Sequence, residues 1–199
     1  MFEGLRAIQS SVQADDTDGC SPSPLDPEYK AHLDTIGKAQ YDALSRRDRS
    51  HAMRLRKRVV DGPALGAGIG RNVYSVSKDV VLDPKYDSYV VKFATPDPRD
   101  TFGLSRDGRV QNRTEAAIWT DSQCEYLVPV TASQPRGYWL LMPQGKSKET
   151  EKEDIAFLSN QIATDCGLEG ITIDITEQDI VELDGEWKLC DYGFRSQNQ

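Results

Sequence analysis

Gly66, Gly68 and Gly70 stand at alternate positions in a β-rich stretch of the 199-residue chain. Lacking Cβ atoms, such residues let backbone approach an anion closely, and a run of unhindered N–H groups makes a phosphate cradle. The other reading is a flexible hairpin loop. A dinucleotide fingerprint or a Walker loop opens a helix, whereas Val73-Tyr-Ser-Val76 has the composition of a strand. Strand, glycine loop, strand suits a flap folded over a nucleotide's phosphates. Lys92 interrupts the apolar run Val90-Val-Lys-Phe-Ala94. By alternation it shares a face with Val90 and Ala94, so either that face is solvated or an anion holds the amine. Glu115 is the candidate partner. A local alternative competes, because Asn112-Arg-Thr-Glu115 resembles a capping box in which Glu115 serves only a helix start.

A pair of carboxylates stands near the other end. Asp184-Gly185, between Ile180-Val-Glu-Leu183 and Glu186-Trp-Lys-Leu189, is a strong two-residue hairpin signal. With that turn Cys190 lies opposite Asp179 and Asp191 opposite Gln178, so Asp179 and Asp191 meet at the open end of the hairpin. Two such carboxylates repel each other unless they share a cation, and hard oxygen ligands suit Mg²⁺ already carried by substrate phosphates. Plain surface aspartates at strand ends are the alternative.

These groups need elements to hold them. Residues 1–26 mix Ser, Asp, Gly and Pro with few apolar side chains, and read as a disordered tail. Asp26-Pro27 suits an N-cap and first helical position, and Tyr29, Leu33, Ile36 and Leu44 recur near helical spacing. The expectation is a helix of about five turns that runs into the basic stretch 46–58, a solvated helical segment over 27–58 or a nucleic-acid patch. Strands are expected at 73–76 and 89–94, a helix at 113–122, and a hairpin of 127–130 with 138–142 about the turn Gln134-Pro-Arg-Gly137. Thr150-Glu-Lys-Glu153 is a capping box for a helix with the apolar face Ile155, Leu158, Ile162 and Cys166, closed by Gly167. The order of elements gives an α+β class with a mainly antiparallel sheet.

Composition excludes several functions. The net charge is −8, although residues 27–60 hold nine bases against four acids. A nucleic-acid binder is therefore not indicated by the whole chain. No apolar run approaches the roughly 18 residues of a membrane span, and Met1-Phe-Glu-Gly-Leu-Arg lacks the features of a signal peptide. A soluble, cytoplasmic protein is expected. Cys20, Cys124, Cys166 and Cys190 form no C-x-x-C pair, and His32 and His51 lie far from most of them, so neither zinc nor a disulfide framework is expected.

The combination resembles the protein-kinase-like superfamily. Leu65-Gly-Ala-Gly-Ile-Gly-Arg-Asn-Val-Tyr74 is similar to its Gly-rich loop, Val90-Val-Lys92 to the strand bearing the nucleotide-binding Lys, and Glu115 to its helix partner. Leu140-Leu-Met142 resembles the approach to the hinge, Asp174-Ile-Thr-Glu-Gln-Asp179 the catalytic loop, and Asp191-Tyr-Gly193 the D-F-G metal motif. These lie in register over residues 59–193. The stretch around Gln111–Trp119 also looks similar to small kinase-like proteins of phages and prokaryotes.

The resemblance implies an antiparallel five-stranded N-lobe over 59–145, a hinge near 142–146 and a reduced C-lobe over 146–199. ATP and Mg²⁺ are the implied cofactors. Gly66, Gly68 and Gly70 would cover the phosphates, Lys92 would bind them and Glu115 would hold Lys92, with Met142 at the nucleotide. Asp179 and Asp191 would bind Mg²⁺, and Asp174 would take the acceptor hydroxyl's proton. The departures are a third glycine one place early, with Arg71 in its usual position; Thr172 and Ile173 before Asp174; and Asp179 in place of Asn. Only six residues follow Gly193, so an activation segment and peptide-docking helices are expected to be missing. The implied function is a Mg-ATP-binding phosphotransferase with slow or partner-dependent activity. The alternatives are a pseudokinase interaction module and a nucleic-acid-associated protein acting through 46–58.

Overall fold

A computed structural model describes residues 24–60, 62–68, 70–97, 107–147, 151–168 and 175–193. Residues within the expected tail, Leu25 and Asp26, are packed on the fold. Leu25 is fully buried and bridges Val81, and the Asp26 N–H donates to the Val80 carbonyl at 2.8 Å. Helix α1 (Pro27–Ser45) then starts as the Asp-Pro pair requires, the Asp26 carboxylate accepting from the Tyr29 N–H at 2.9 Å. It does not run on into the basic stretch. Arg47 takes a left-handed conformation (φ 62°), and the Asp48 side chain captures the His51 N–H to start a separate short helix, α2 (Arg49–Arg56).

Five strands, β1 (Gly66–Ala67), β2 (Arg71–Val76), β3 (Tyr89–Ala94), β4 (Ala132–Ser133) and β5 (Trp139–Pro143), form one antiparallel sheet in the order β1-β2-β3-β5-β4. Both faces are covered. Leu33 and Tyr41 of α1 pack with Val91, Phe93, Trp139 and Leu141 on one side. Gly37 permits this closeness, since a Cβ there would stand 3.1 Å from Trp139 Cδ1, and the indole N–H donates to Asp34 at 2.9 Å. On the other side α3 (Gly108–Ser122) lays Ala116 against Val90, Leu140 and Met142. Every residue of β3 is accordingly buried.

Two local expectations are corrected. Helix α3 begins at Gly108, capped by Asp107, so Glu115 lies in its second turn and is no capping residue. The hairpin partner of β5 is Ala132–Ser133 and not 127–130. Pro129 has no N–H to offer a ladder. Leu127 and Val128 run instead beside Leu189, the Val128 N–H donating to the Leu189 carbonyl at 3.0 Å.

Beyond Pro143 the chain crosses to a second hairpin, where Lys146 and Glu182 exchange backbone hydrogen bonds of 2.9 Å. That hairpin, β6 (Ile180–Leu183) with β7 (Glu186–Leu189), has the expected register, Ile180 opposite Leu189 and Leu183 opposite Glu186. Asp184 (φ 56°) and Gly185 (φ 83°) adopt the left-handed pair its tight turn demands. Helix α4 (Lys152–Cys166) packs Leu158 and Ile162 on Ile180, Leu189 and Tyr192. Its cap sits one residue later than read, the Glu151 N–H donating to Asp154 at 3.2 Å, and it closes at Gly167.

Cys124, just after α3, is joined to Cys166 at the end of α4 by a disulfide, contrary to the expectation from spacing alone. The two cysteines belong to one apolar cluster, so tertiary packing brings together thiols that no short motif links. Among the described residues no helix is long and apolar enough to cross a membrane.

Candidate functional site

Three elements converge behind the glycine hairpin. Val73 of β2 pairs with Lys92 of β3, and alternation then puts Arg71 on the same face two residues away. Helix α3 is brought down on that face by close backbone contact, a Cβ on Gly108 falling 1.7 Å from the Gly70 carbonyl oxygen. Asn112 fixes its rotation, donating to the carbonyls of Lys92 (3.2 Å) and Gly137 (2.9 Å). The carboxyl-terminal segment lies across the helix because Gly193 has no side chain; a Cβ there would meet the Gln111 carbonyl at 2.3 Å.

These contacts surround Glu115, which is fully buried. Its Oε1 accepts from Lys92 Nζ at 2.9 Å and from the Tyr192 N–H at 3.5 Å, and its Oε2 accepts from Arg71 Nη1. Lys92 also donates to the Cys190 carbonyl, and Arg71 Nη2 donates to Asp191 Oδ1. Two cations thus face two carboxylates, with Arg71 and Lys92 both buried. Burial works against the Arg71 charge, but Glu115 and Asp191 more than offset it and hold its pKa up. Partial desolvation works to raise the Asp191 pKa, and the charges of Arg71 and Lys92 outweigh that and hold it down. The neighbouring Cys190 thiol is pushed up to about 12, chiefly by burial, and stays protonated at neutral pH.

The structure therefore brings Lys92, Glu115 and Asp191 into one network, and the Lys92 amine is held by an anion. The link to Asp191 passes through Arg71, which the sequence reading noted only as a misplaced residue. Its signal was available in the strand alternation, once Val73 is paired with Lys92. Gly66 and Gly68 lie exposed on the hairpin, where a Cβ would touch nothing, and the Gly68 N–H is taken by the Arg71 carbonyl at 3.0 Å. Gly70 is buried with φ +90°. Met142 is buried opposite Val90 among Leu140, Val128 and Leu183. Asp174 lies outside the described residues.

The donor sets for a metal differ in quality. Asp191 has hard oxygens and a side chain 45% exposed, and so fits a magnesium ligand. Asp179 is engaged by its own turn, its Oδ2 accepting from the Thr176 N–H (2.9 Å) and hydroxyl (2.7 Å) at the 3-10 turn Glu177–Asp179. Its backbone carbonyl takes the Cys190 N–H at 2.7 Å, which continues the hairpin ladder as expected, yet the two carboxylates are turned to different protein partners. Among the described residues no group of three or more His, Cys, Asp or Glu side chains is placed to hold a metal ion.

A second polar cluster anchors α1 to the start of α3. Tyr41 donates its hydroxyl to Asp107 at 2.6 Å, and Arg109 pairs with Asp107 at 2.8 Å while stacking 4.3 Å from the Tyr41 ring centroid. Burial raises the Asp107 pKa, but the hydrogen bonds from Arg109 and Tyr41 outweigh that and lower it. Depressed carboxylate pKa values give stability that is present above the ordinary value and lost as pH falls through the folded one. Denaturant unfolding is thus expected to show constant contributions from Asp107 and Asp191 between pH 7 and 5 and a decline below about pH 4. Undiminished stability at pH 3 would contradict the pairing of both aspartates.

Compared with known proteins, the chain matches no family model, and no curated protein matches it.

Proposed function

We propose that this protein is a kinase-like nucleotide-binding module whose resting site is latched by its own arginine. The observation that carries the reading is the buried Lys92–Glu115 pair at 2.9 Å, formed between the third strand and the helix that follows it, with the Asp191 segment laid against both. A lysine buried on one carboxylate behind a glycine hairpin is arranged as a phosphate ligand is in phosphoryl-transfer sites. The sheet order and the hairpin register also support the likeness.

In this reading Lys92 keeps Glu115 and turns a remaining N–H to the phosphates. Arg71 exchanges Asp191 for a phosphate oxygen, which keeps its guanidinium paired. Asp191, so released, would be the residue to hold Mg²⁺, which would supply positive charge to neutralise the phosphate oxygens. Phosphoryl transfer also demands an acceptor held in line, and so the module is assigned nucleotide binding with transfer slow or dependent on a partner.

The Arg71–Asp191 pair is the observation that favours a second reading, a purely structural module. Melting curves separate the two. At Mg-ATP about a hundredfold above Kd, mass action adds about 2.7 kcal/mol, an upward shift of roughly 5–10 °C for a chain of this size, with a smaller shift for ATP in EDTA. No shift at millimolar Mg-ATP would assign the network to a structural clamp.

A further inference from the structure

Three acid–aromatic pairs, distant in the chain, converge on one groove. Glu125-Tyr126 follows α3, Asp154 and Phe157 lie three residues apart on α4, and Glu186-Trp187 opens β7; with Leu158 they line a cavity of about 310 Å³. The spacing on α4 puts the acid and the ring on one helix face. Leu158 turns into the core, whereas the Phe157 ring is 65% exposed. Tyr126 is fixed at the rim by its hydroxyl, which donates to Asp165 at 3.3 Å. The Cys124–Cys166 disulfide ties the chain just before Glu125 to the end of α4, and so holds two of the groove's walls together.

The charge of this groove selects its occupant. Three of its seven lining residues are carboxylates and none is a lysine or arginine. Lys188, buried nearby, gives its ammonium to Glu186 at 2.9 Å and to the Glu125 carbonyl at 2.5 Å, which offsets one carboxylate and leaves the groove negative. Aromatic faces attract a cation, and a long basic side chain offers an apolar stem to the rings and a charged head to the acids. We propose that the groove is a docking site for a basic segment of a partner protein, which lays a Lys or Arg side chain over Tyr126, Phe157 and Trp187. The proposal is independent of the nucleotide reading, since none of these residues belongs to the Arg71 network.

The test is fluorescence anisotropy of a short labelled Gly-Ser peptide carrying arginines, titrated with the full chain. Binding is expected to saturate and to weaken as salt rises. It should fall by about fivefold or more in Phe157→Ala and by a similar factor in Glu125→Gln, while both variants, altered at exposed positions, keep the parent melting temperature. A matched peptide carrying glutamates should not bind. Absence of saturable binding, equal binding of the acidic peptide, or unchanged affinity in both variants would overturn the proposal. So would a concentration-dependent oligomer broken both by Phe157→Ala and by Arg54→Glu, because the occupant would then be the basic α2 of a second copy.

Discussion

Replacing Glu115 by alanine is expected to cost about 3–5 kcal/mol of folding stability, and to lower Tm by roughly 10 °C. Arg71 and Lys92 converge on this one carboxylate where neither cation reaches water, so its removal leaves two buried positive charges with one half-exposed counter-charge between them. An uncompensated buried charge is costly, whereas a buried ion pair exchanged whole for apolar groups often costs nothing. The combined variant Arg71→Met, Lys92→Met, Glu115→Leu should therefore recover most of the stability that Glu115→Ala loses, and yet bind no nucleotide. A loss below about 1 kcal/mol in Glu115→Ala would mean that the cations find water or other partners, contrary to the burial described.

Reduction of the Cys124–Cys166 bond is expected to have the next largest effect. The cysteines are separated by 42 residues, and the chain-entropy model for a loop of that length gives about 4 kcal/mol. Measured values often fall lower, so a loss of about 2–4 kcal/mol and a fall in Tm of roughly 5–15 °C are expected on adding reductant. Cys124→Ser should reproduce the effect and be insensitive to reductant. Alkylation of both Cys124 and Cys166 in the folded, unreduced protein would contradict the bond. Disulfides persist where thiol reductants do not prevail, so the same alkylation on protein taken from its native compartment reports which condition the chain meets there.

Much of this arrangement was legible before the structure. The Asp184-Gly185 turn determines a register that the hairpin follows to Cys190, because a two-residue left-handed turn leaves no freedom in pairing. Lys92 in an apolar strand left a choice between a solvated face and an anion, and the structure has the anion, Glu115. What escaped was tertiary. The break between α1 and α2 depends on one left-handed arginine, which no propensity marks. The displacement of β4 follows from Pro129, whose missing N–H matters only once its neighbours have a choice of partner strand. Arg71 looked like a flaw in a glycine pattern until strand pairing set it on the face of Lys92. The disulfide joins residues in a core that only the packed α4 creates.

In the proposed nucleotide site the phosphates meet Lys92. An acyl-phosphate derivative of ATP, which transfers its acyl group to a lysine amine beside the bound phosphates, tests this directly on the full wild-type chain, with labelled peptides identified by mass spectrometry. Lys92 is only 5% exposed, so undirected acylation should favour surface lysines such as Lys38 and Lys78, which are half exposed. Labelling is expected at Lys92, suppressed by excess Mg-ATP and diminished in Asp191→Asn. Labelling confined to surface lysines, with Lys92 unmodified and no protection by Mg-ATP, would contradict it.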